Sequence, residues 1–176
     1  MWFKLKYVIT DQSITYNSHI LYRIKRLSDN KIGGYIEFPH NLSQEGNCWI
    51  DDDAIVCEGA IIANNAVVSG EAILFGRASA SGNSTVGDNA KVFGAARILD
   101  NAKIFEYAEV YGNSTVADDA TIFGHANIYG NSIICGSARV YGNPTIYSNA
   151  QIRGTAVVNG YAQINDGTFY NGIFSE

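Results

Sequence analysis

The side chains best equipped for chemistry are few and scattered. They are His19, His40 and His125, the cysteines Cys48, Cys57 and Cys135, and the run Asp51-Asp52-Asp53. A zinc site needs at least three converging ligands. These histidines have no ligand-like spacing and the aspartate run has no second cluster to answer it, so neither a metal nor a cofactor is expected. The cysteines form no C-x-x-C pair, and their odd number speaks against a disulfide framework and for a reduced compartment. No phosphate-cradling glycine loop and no nucleophile–base pairing appears. What does recur is aromatic: Phe75, Phe93, Tyr111, Tyr129 and Tyr147 stand 18 residues apart, with Cys57 before them and Asn165 after, and Phe105, Phe123 and Tyr141 form a second such row. Rows of rings on a rigid support either brace that support or bind something, because a continuous apolar stripe exceeds what a monomer usually leaves uncovered.

The elements that must carry these rows follow from a shorter period. Counted in sixes from Cys48, the chain gives 21 hexads, whose first residue is Ala in 15 and Ser in three, and whose third is Ile, Val or Leu in 19. The exceptions at the third position are Ala80 and Tyr170. The fifth residue is Gly in 12 hexads and the sixth is Asn in eight. A small-x-aliphatic alternation puts two side chains on one face of a short strand. The following Gly-Asn is expected to turn the chain, since both residues tolerate positive φ. Three hexads then close one triangular coil of 18 residues, the second and fourth positions point outward, and successive coils pair as parallel strands. About seven coils result, with helix nearly absent, in a rod on the order of 30 Å long.

The segments V-Y-G-N-S-T (110 to 115), I-F-G-H-A-N (122 to 127) and V-Y-G-N-P-T (140 to 145) resemble hexapeptide-repeat proteins. That resemblance implies a left-handed parallel β-helix, the hand coming from the family and not from the period. More narrowly, G-G-Y-I-E (33 to 37) and N-L-S-Q-E-G-N-C-W-I (41 to 50), followed by tandem Y-G-N repeats, resemble the YdcK-like proteins common in prophages. The expected class is therefore all-β, with an N-terminal antiparallel β cap and connector over 1–47 and the hexapeptide-repeat β-helix over 48–176. Many hexapeptide-repeat proteins are acyltransferases that use a catalytic histidine and a loop ejected from a coil. Here the hexads run without interruption and only His125 lies in the rod, at a turn position that reads as an exposed bystander.

The cap region is expected to form strands over 2–9 and 19–27, with a short run from Ser13 to Tyr16. Gly33-Gly34 marks a turn, and 39–47 an irregular connector. Covering Ile50 and Val56 of the first coil is its expected role, since solenoid ends must be shielded. The cluster Arg23, Lys25, Arg26 reads either as a phosphate contact or as edge protection. Weak points are expected at Ala80 and at Pro144, which lacks a ladder donor. At the far end, Phe169, Tyr170 or Phe174 is expected to fold over the last coil or to meet a second copy.

Charge separates the two parts: residues 1–47 hold six Lys/Arg against four Asp/Glu, and 48–176 hold six against 13. So acidic a rod is a poor nucleic-acid binder, because phosphate contacts need clustered cations. No apolar run is long enough for a membrane-spanning helix, and cytoplasmic residence, in a host cell if phage-encoded, is expected. The expected function is that of a non-catalytic, phage-type binding protein that occupies a basic host protein surface, including the case of an anti-CRISPR-like inhibitor. Its candidate contact residues are Phe75, Phe93, Tyr111, Tyr129 and Tyr147, with Asp100, Asp118 and Asp119 setting partner choice. A transferase and a self-assembling scaffold of rods remain the alternatives.

Overall fold

The computed structural model describes residues 5–175; Trp2 to Lys4 of the expected first strand lie outside it. Two-residue strands recur at every hexad and stack into three parallel sheets, the walls of a triangular solenoid. The first wall runs from Ile55–Val56 to Gln163–Ile164 in seven strands and the second from Ile61–Ile62 to Thr168–Phe169 in seven. The third runs from Trp49–Ile50 to Ile173–Ser175 in eight. The coil count is thus between seven and eight. Among the described residues the only helical turn is the 3-10 segment Pro39–Asn41, and no helix is long and apolar enough to cross a membrane.

The hexad explains the core. First-position alanines and third-position Ile, Val or Leu are buried throughout, Ile128 and Ala120 fully so. An interior this narrow admits one small and one branched side chain per wall. Ala80 is also buried, within a strand paired on both sides by Ile62 and Ile98. Pro144 does not break its ladder: Thr145–Ile146 pairs with Asn127–Ile128 and with Gln163–Ile164. The reason is that first-position amides donate across the corner, as Ala90 N does to Gly87 O, so proline removes a turn bond and no ladder bond.

The corners differ from the Gly-Asn expectation. Positive φ falls on the fifth residue of the hexad, glycine or not: Gly112 (72°), Asp118 (58°) and Glu106 (59°) are equivalent. At two corners the sixth-position asparagines serve another purpose, an amide ladder along the rod. Asn47 donates to Asn65, Asn65 to Asn83, Asn83 to Asn101 and Asn101 to Asp119, at 3.0–3.2 Å. A second ladder links Asn113, Asn131 and Asn149.

The cap consists of β1 (Tyr7–Tyr16), β2 (His19–Arg26) and β3 (Ile32–Ile36). β1 is one strand with an irregularity between Ile9 and Ser13, antiparallel to β2. Gly33-Gly34 is not the turn; it sits inside β3, which pairs antiparallel with β2 and parallel with Ile55–Val56. The glycines are there for closeness: a Cβ on Gly33 would meet Ile50 O at 2.5 Å, and one on Gly34 would meet Ala54 O at 2.4 Å. β-Pairing of the solenoid therefore reaches back to Tyr35-Ile36, and Leu42 of the connector bridges Ile62 on the second wall. Tyr7 and Ile24 join the same core as Ile50, as a cap over the first coil should. The Tyr7 hydroxyl lies 2.9 Å from the carbonyl oxygens of Pro39 and Leu42, and burial pushes its pKa up to about 12.

Arg23 and Arg26 are committed within the molecule. Arg23 pairs with Asp53, donates to Gly33 O and Asp52 O, and lies over Tyr35. Arg26 pairs with Asp29 and lies over Trp49, and Lys31 pairs with Asp51. Two members of the aspartate run thus tie the cap to the first coil.

At the other end the period shortens. Phe169 pairs with Ile152 and Phe174 with Val158, so the inward positions run 164, 169, 174 and the last two units are pentads. This overturns the unbroken count of hexads and moves Tyr170, expected inward, to the surface at 60% exposure. Phe169 and Phe174 pack against the core and meet edge to face at 4.8 Å.

Candidate binding surface along the rod

All five expected aromatics come together as one column at the corner between the first and second walls. Successive ring centroids are 4.8, 4.5, 5.0 and 5.3 Å apart, with interplanar angles between 4° and 15°. This spacing is that of neighbouring parallel strands, about 4.8 Å, so the backbone hands each ring to the next. Each aromatic from Phe75 to Tyr129 is followed by a positive-φ glycine, Gly76, Gly94, Gly112 or Gly130, which keeps the corner thin beside the rings. A Cβ on Gly112 would meet Gly130 N and O at 2.9 Å. Every ring of the column is half-buried. The surface offered is a ridge of ring edges, not a sheet of open faces.

The foot of the column is closed by the cap. Phe75 packs against a buried cluster of Leu21, Ile55 and Cys57. Burial, then the charges of Glu58 and Glu37, push the Cys57 thiol up to about 12, which disfavours the thiolate form that acts as nucleophile or metal ligand. Higher up, the Tyr111 hydroxyl titrates above its ordinary value, through burial first and then Tyr129 and Glu109.

Asp100, Asp118 and Asp119 also come together, but at the corner between the second and third walls. They flank the second wall opposite the aromatic column and do not share its corner. Each makes a structural contact: Asp118 N donates to Asp100 Oδ2 at 3.4 Å, Gly136 N to Asp118 Oδ2 at 2.8 Å, and Asn101 Nδ2 to Asp119 Oδ1 at 3.0 Å. A carboxylate at the fifth position thus accepts the amide of the next coil, and its other oxygen stays with solvent. Asp88 and Glu106 do the same at the third corner, toward Glu106 N and Gly124 N.

One stacked pair on the surface differs from its expected role. His125 is exposed but not idle: it stacks on Tyr107 at 4.9 Å and 6°. The 18-residue spacing of 107 and 125 was the available signal. The pair borders the first wall on the side away from the aromatic column, and between the two lies a shallow trough floored by Ile73, Lys91 and Glu109. Lys91 and Glu109 neutralise one another at 3.3 Å. In the second aromatic row, Phe123 and Tyr141 stack at 5.0 Å, Arg139 lies beside both rings, and Asn159 donates to the Tyr141 hydroxyl.

The remaining histidines belong to the cap joint. His19 Nδ1 is 2.9 Å from Glu37 Oε1 and its Nε2 3.7 Å from Glu58. His40 stacks on Phe38 and meets Glu58 O. Among the described residues no group of three His, Cys, Asp or Glu side chains is placed to hold a metal. In comparison with known proteins, no family model and no curated protein matches the chain, so function has to be read from these surfaces themselves.

Proposed function

We propose that the protein is a non-catalytic binding rod of the phage type, hexapeptide-repeat in kinship and left-handed, that occupies a basic surface of a host protein, an anti-defence inhibitor being one such case. The observation that carries this reading is the aromatic column: five stacked rings, each carried by a coil that is paired to its neighbours and each packed on the next ring. Ordered aromatics lose little entropy on association and are frequent hot spots. The carboxylates of the two other corners add the field that would draw a cationic partner along the rod. His125, the rod histidine a transferase would draw on, is stacked on Tyr107 at a corner, which favours the binding reading over the transferase alternative.

The test is capture of a host partner by the wild-type protein and by Tyr111→Ser/Tyr129→Ser, with Tyr111→Phe/Tyr129→Phe as the variant that keeps the stack. Binding lost in the serine pair and retained in the phenylalanine pair, at a temperature where both are folded, is the expected result. Full binding by the serine pair would make the column a brace only.

A further inference from the structure

Beside Tyr107 the third corner opens into a hollow lined by Gly70, Glu71, Asp88, Asn89, Glu106 and Tyr107. All six belong to the coils on the N-terminal side of His125, so the hollow faces the side of the Tyr107 ring that His125 does not cover. Tyr107 is 56% exposed, more open than any ring of the aromatic column. The lining carries three carboxylates and no cation. Asp88 and Glu106 each use one oxygen to accept a backbone amide, which fixes the side chain and leaves the second oxygen free. Among the described residues the Glu71 carboxylate has no ion-pair partner, whereas Glu109 nearby is answered by Lys91.

An aromatic face, open on one side and fenced by carboxylates, is the arrangement that holds an organic cation by ring quadrupole and ion pairing together. A bare metal ion is disfavoured because the acids do not converge as a ligand set. A guanidinium suits the hollow better than an ammonium: it is flat enough to lie on the ring, weakly hydrated, and forked toward carboxylates at its rim. We propose that the hollow beside Tyr107 receives an arginine side chain of the basic partner, an inference that rests on the binding reading above and names the residue type recognised. The first wall then presents two different contacts, a ridge of ring edges on one side and an arginine receptor on the other, with the neutralised Lys91–Glu109 pair between them.

The probe is a blocked Gly-Arg-Gly-Arg-Gly peptide, titrated into the full chain at low salt and followed by NMR. The expected result is saturable binding that shifts the Tyr107 ring signals, weakened about tenfold by Tyr107→Leu, which leaves net charge untouched. Glu71→Gln/Glu106→Gln should weaken it further, while the single-charge control Asp11→Asn in the cap stays within about twofold. A citrulline peptide should not bind, and a lysine peptide should bind several-fold more weakly. Equal affinity of Tyr107→Leu and wild type, or of lysine and arginine peptides, would overturn the proposal and leave only diffuse attraction to an acidic rod. The two readings fail separately: a captured partner that requires Tyr111 and Tyr129 but ignores Tyr107→Leu keeps the binding rod and removes the arginine receptor, whereas peptide binding at Tyr107 with no dependence of partner capture on Tyr111 and Tyr129 does the reverse.

Discussion

The aromatic corner and the acidic corner share one backbone turn and hold it in different ways. At Gly112 and Asp118 the fifth residue of the hexad has nearly the same positive φ, 72° and 58°. On the aromatic side glycine removes the strain, and the neighbouring ring, stacked on the coils above and below, ties the corner together. On the acidic side a residue with a side chain accepts the strain, and its carboxylate compensates by taking the next coil's amide. Coils can therefore be joined at their corners by dispersion or by charge-assisted hydrogen bonds. A corner joined by rings is apolar and available to a partner; one joined by carboxylates stays wet.

The largest test of this contrast addresses the core that both corners wrap. Ile128→Ala should cost about 2–5 kcal/mol through a cavity on the first wall; chemical denaturation would measure it, and a loss below about 1 kcal/mol would show the column collapsing to fill the space. Next comes the ring stack. Tyr111→Ser/Tyr129→Ser disrupts three stacked contacts, each contributing about 0.5–1.5 kcal/mol beyond buried area, so the loss should be about 2–4 kcal/mol. The paired change Asp100→Ala/Asp118→Ala at the other corner should cost less, about 1 kcal/mol in all, because both carboxylates are exposed. Should the acidic pair prove the more costly in thermal melts, hydrogen-bonded corners would be the stronger joints.

A finer comparison lies within a single column. Ser114 and Ser132 occupy the same buried position one coil apart, yet Ser114 Oγ donates to Tyr111 O at 2.8 Å while Ser132 Oγ is buried without a partner. Ser132→Ala should stabilise by about 1 kcal/mol and Ser114→Ala should not. The weakest effect is one of pH, where the aromatic corner meets the cap. His19 has its pKa raised, chiefly by its hydrogen bond to Glu37. Burial would raise Glu37, but His19 and the Glu58 amide outweigh it and leave it lowered. A raised histidine adds stability that is complete below about 6.5, its unfolded value, and lost as pH rises through the folded value; a lowered carboxylate adds stability above its own ordinary value that is lost as pH falls through the depressed one. Melting temperature should thus be highest in the mildly acidic window between them and decline slightly by pH 8, and His19→Gln should abolish that decline.

The period of six and its grouping by three were legible because each wall demands the same small and branched pair; the walls, the core and the aromatic column followed from arithmetic alone. Side-chain partners across coils were harder to read. Asparagine at positions 65, 83 and 101 looked like turn chemistry because turns favour it locally, and only contact along the axis explains the ladder. Gly33-Gly34 reads as a turn for the same local reason, while its cause is the backbone at Ile50 and Ala54 of the first coil. The pentads were hidden because Thr168 and Tyr170 can be counted in sixes; a spacing of five between Phe169 and Phe174 was the clue. His125 taken by itself is a turn residue, and its role depends on Tyr107 18 residues earlier.

The asparagine ladders and ring columns also restrict how such a gene can change length. Each side chain finds its counterpart 18 residues on, as Glu109 finds Asn127 and Val110 finds Ile128, so a deletion or duplication of 18 codons within the repeat returns ring to ring and amide to amide. A change of one or two codons there shears all the columns at once, placing branched residues outside and polar ones within. Within the described coils length is quantised, and the two pentads beyond Ile164 escape the quantum.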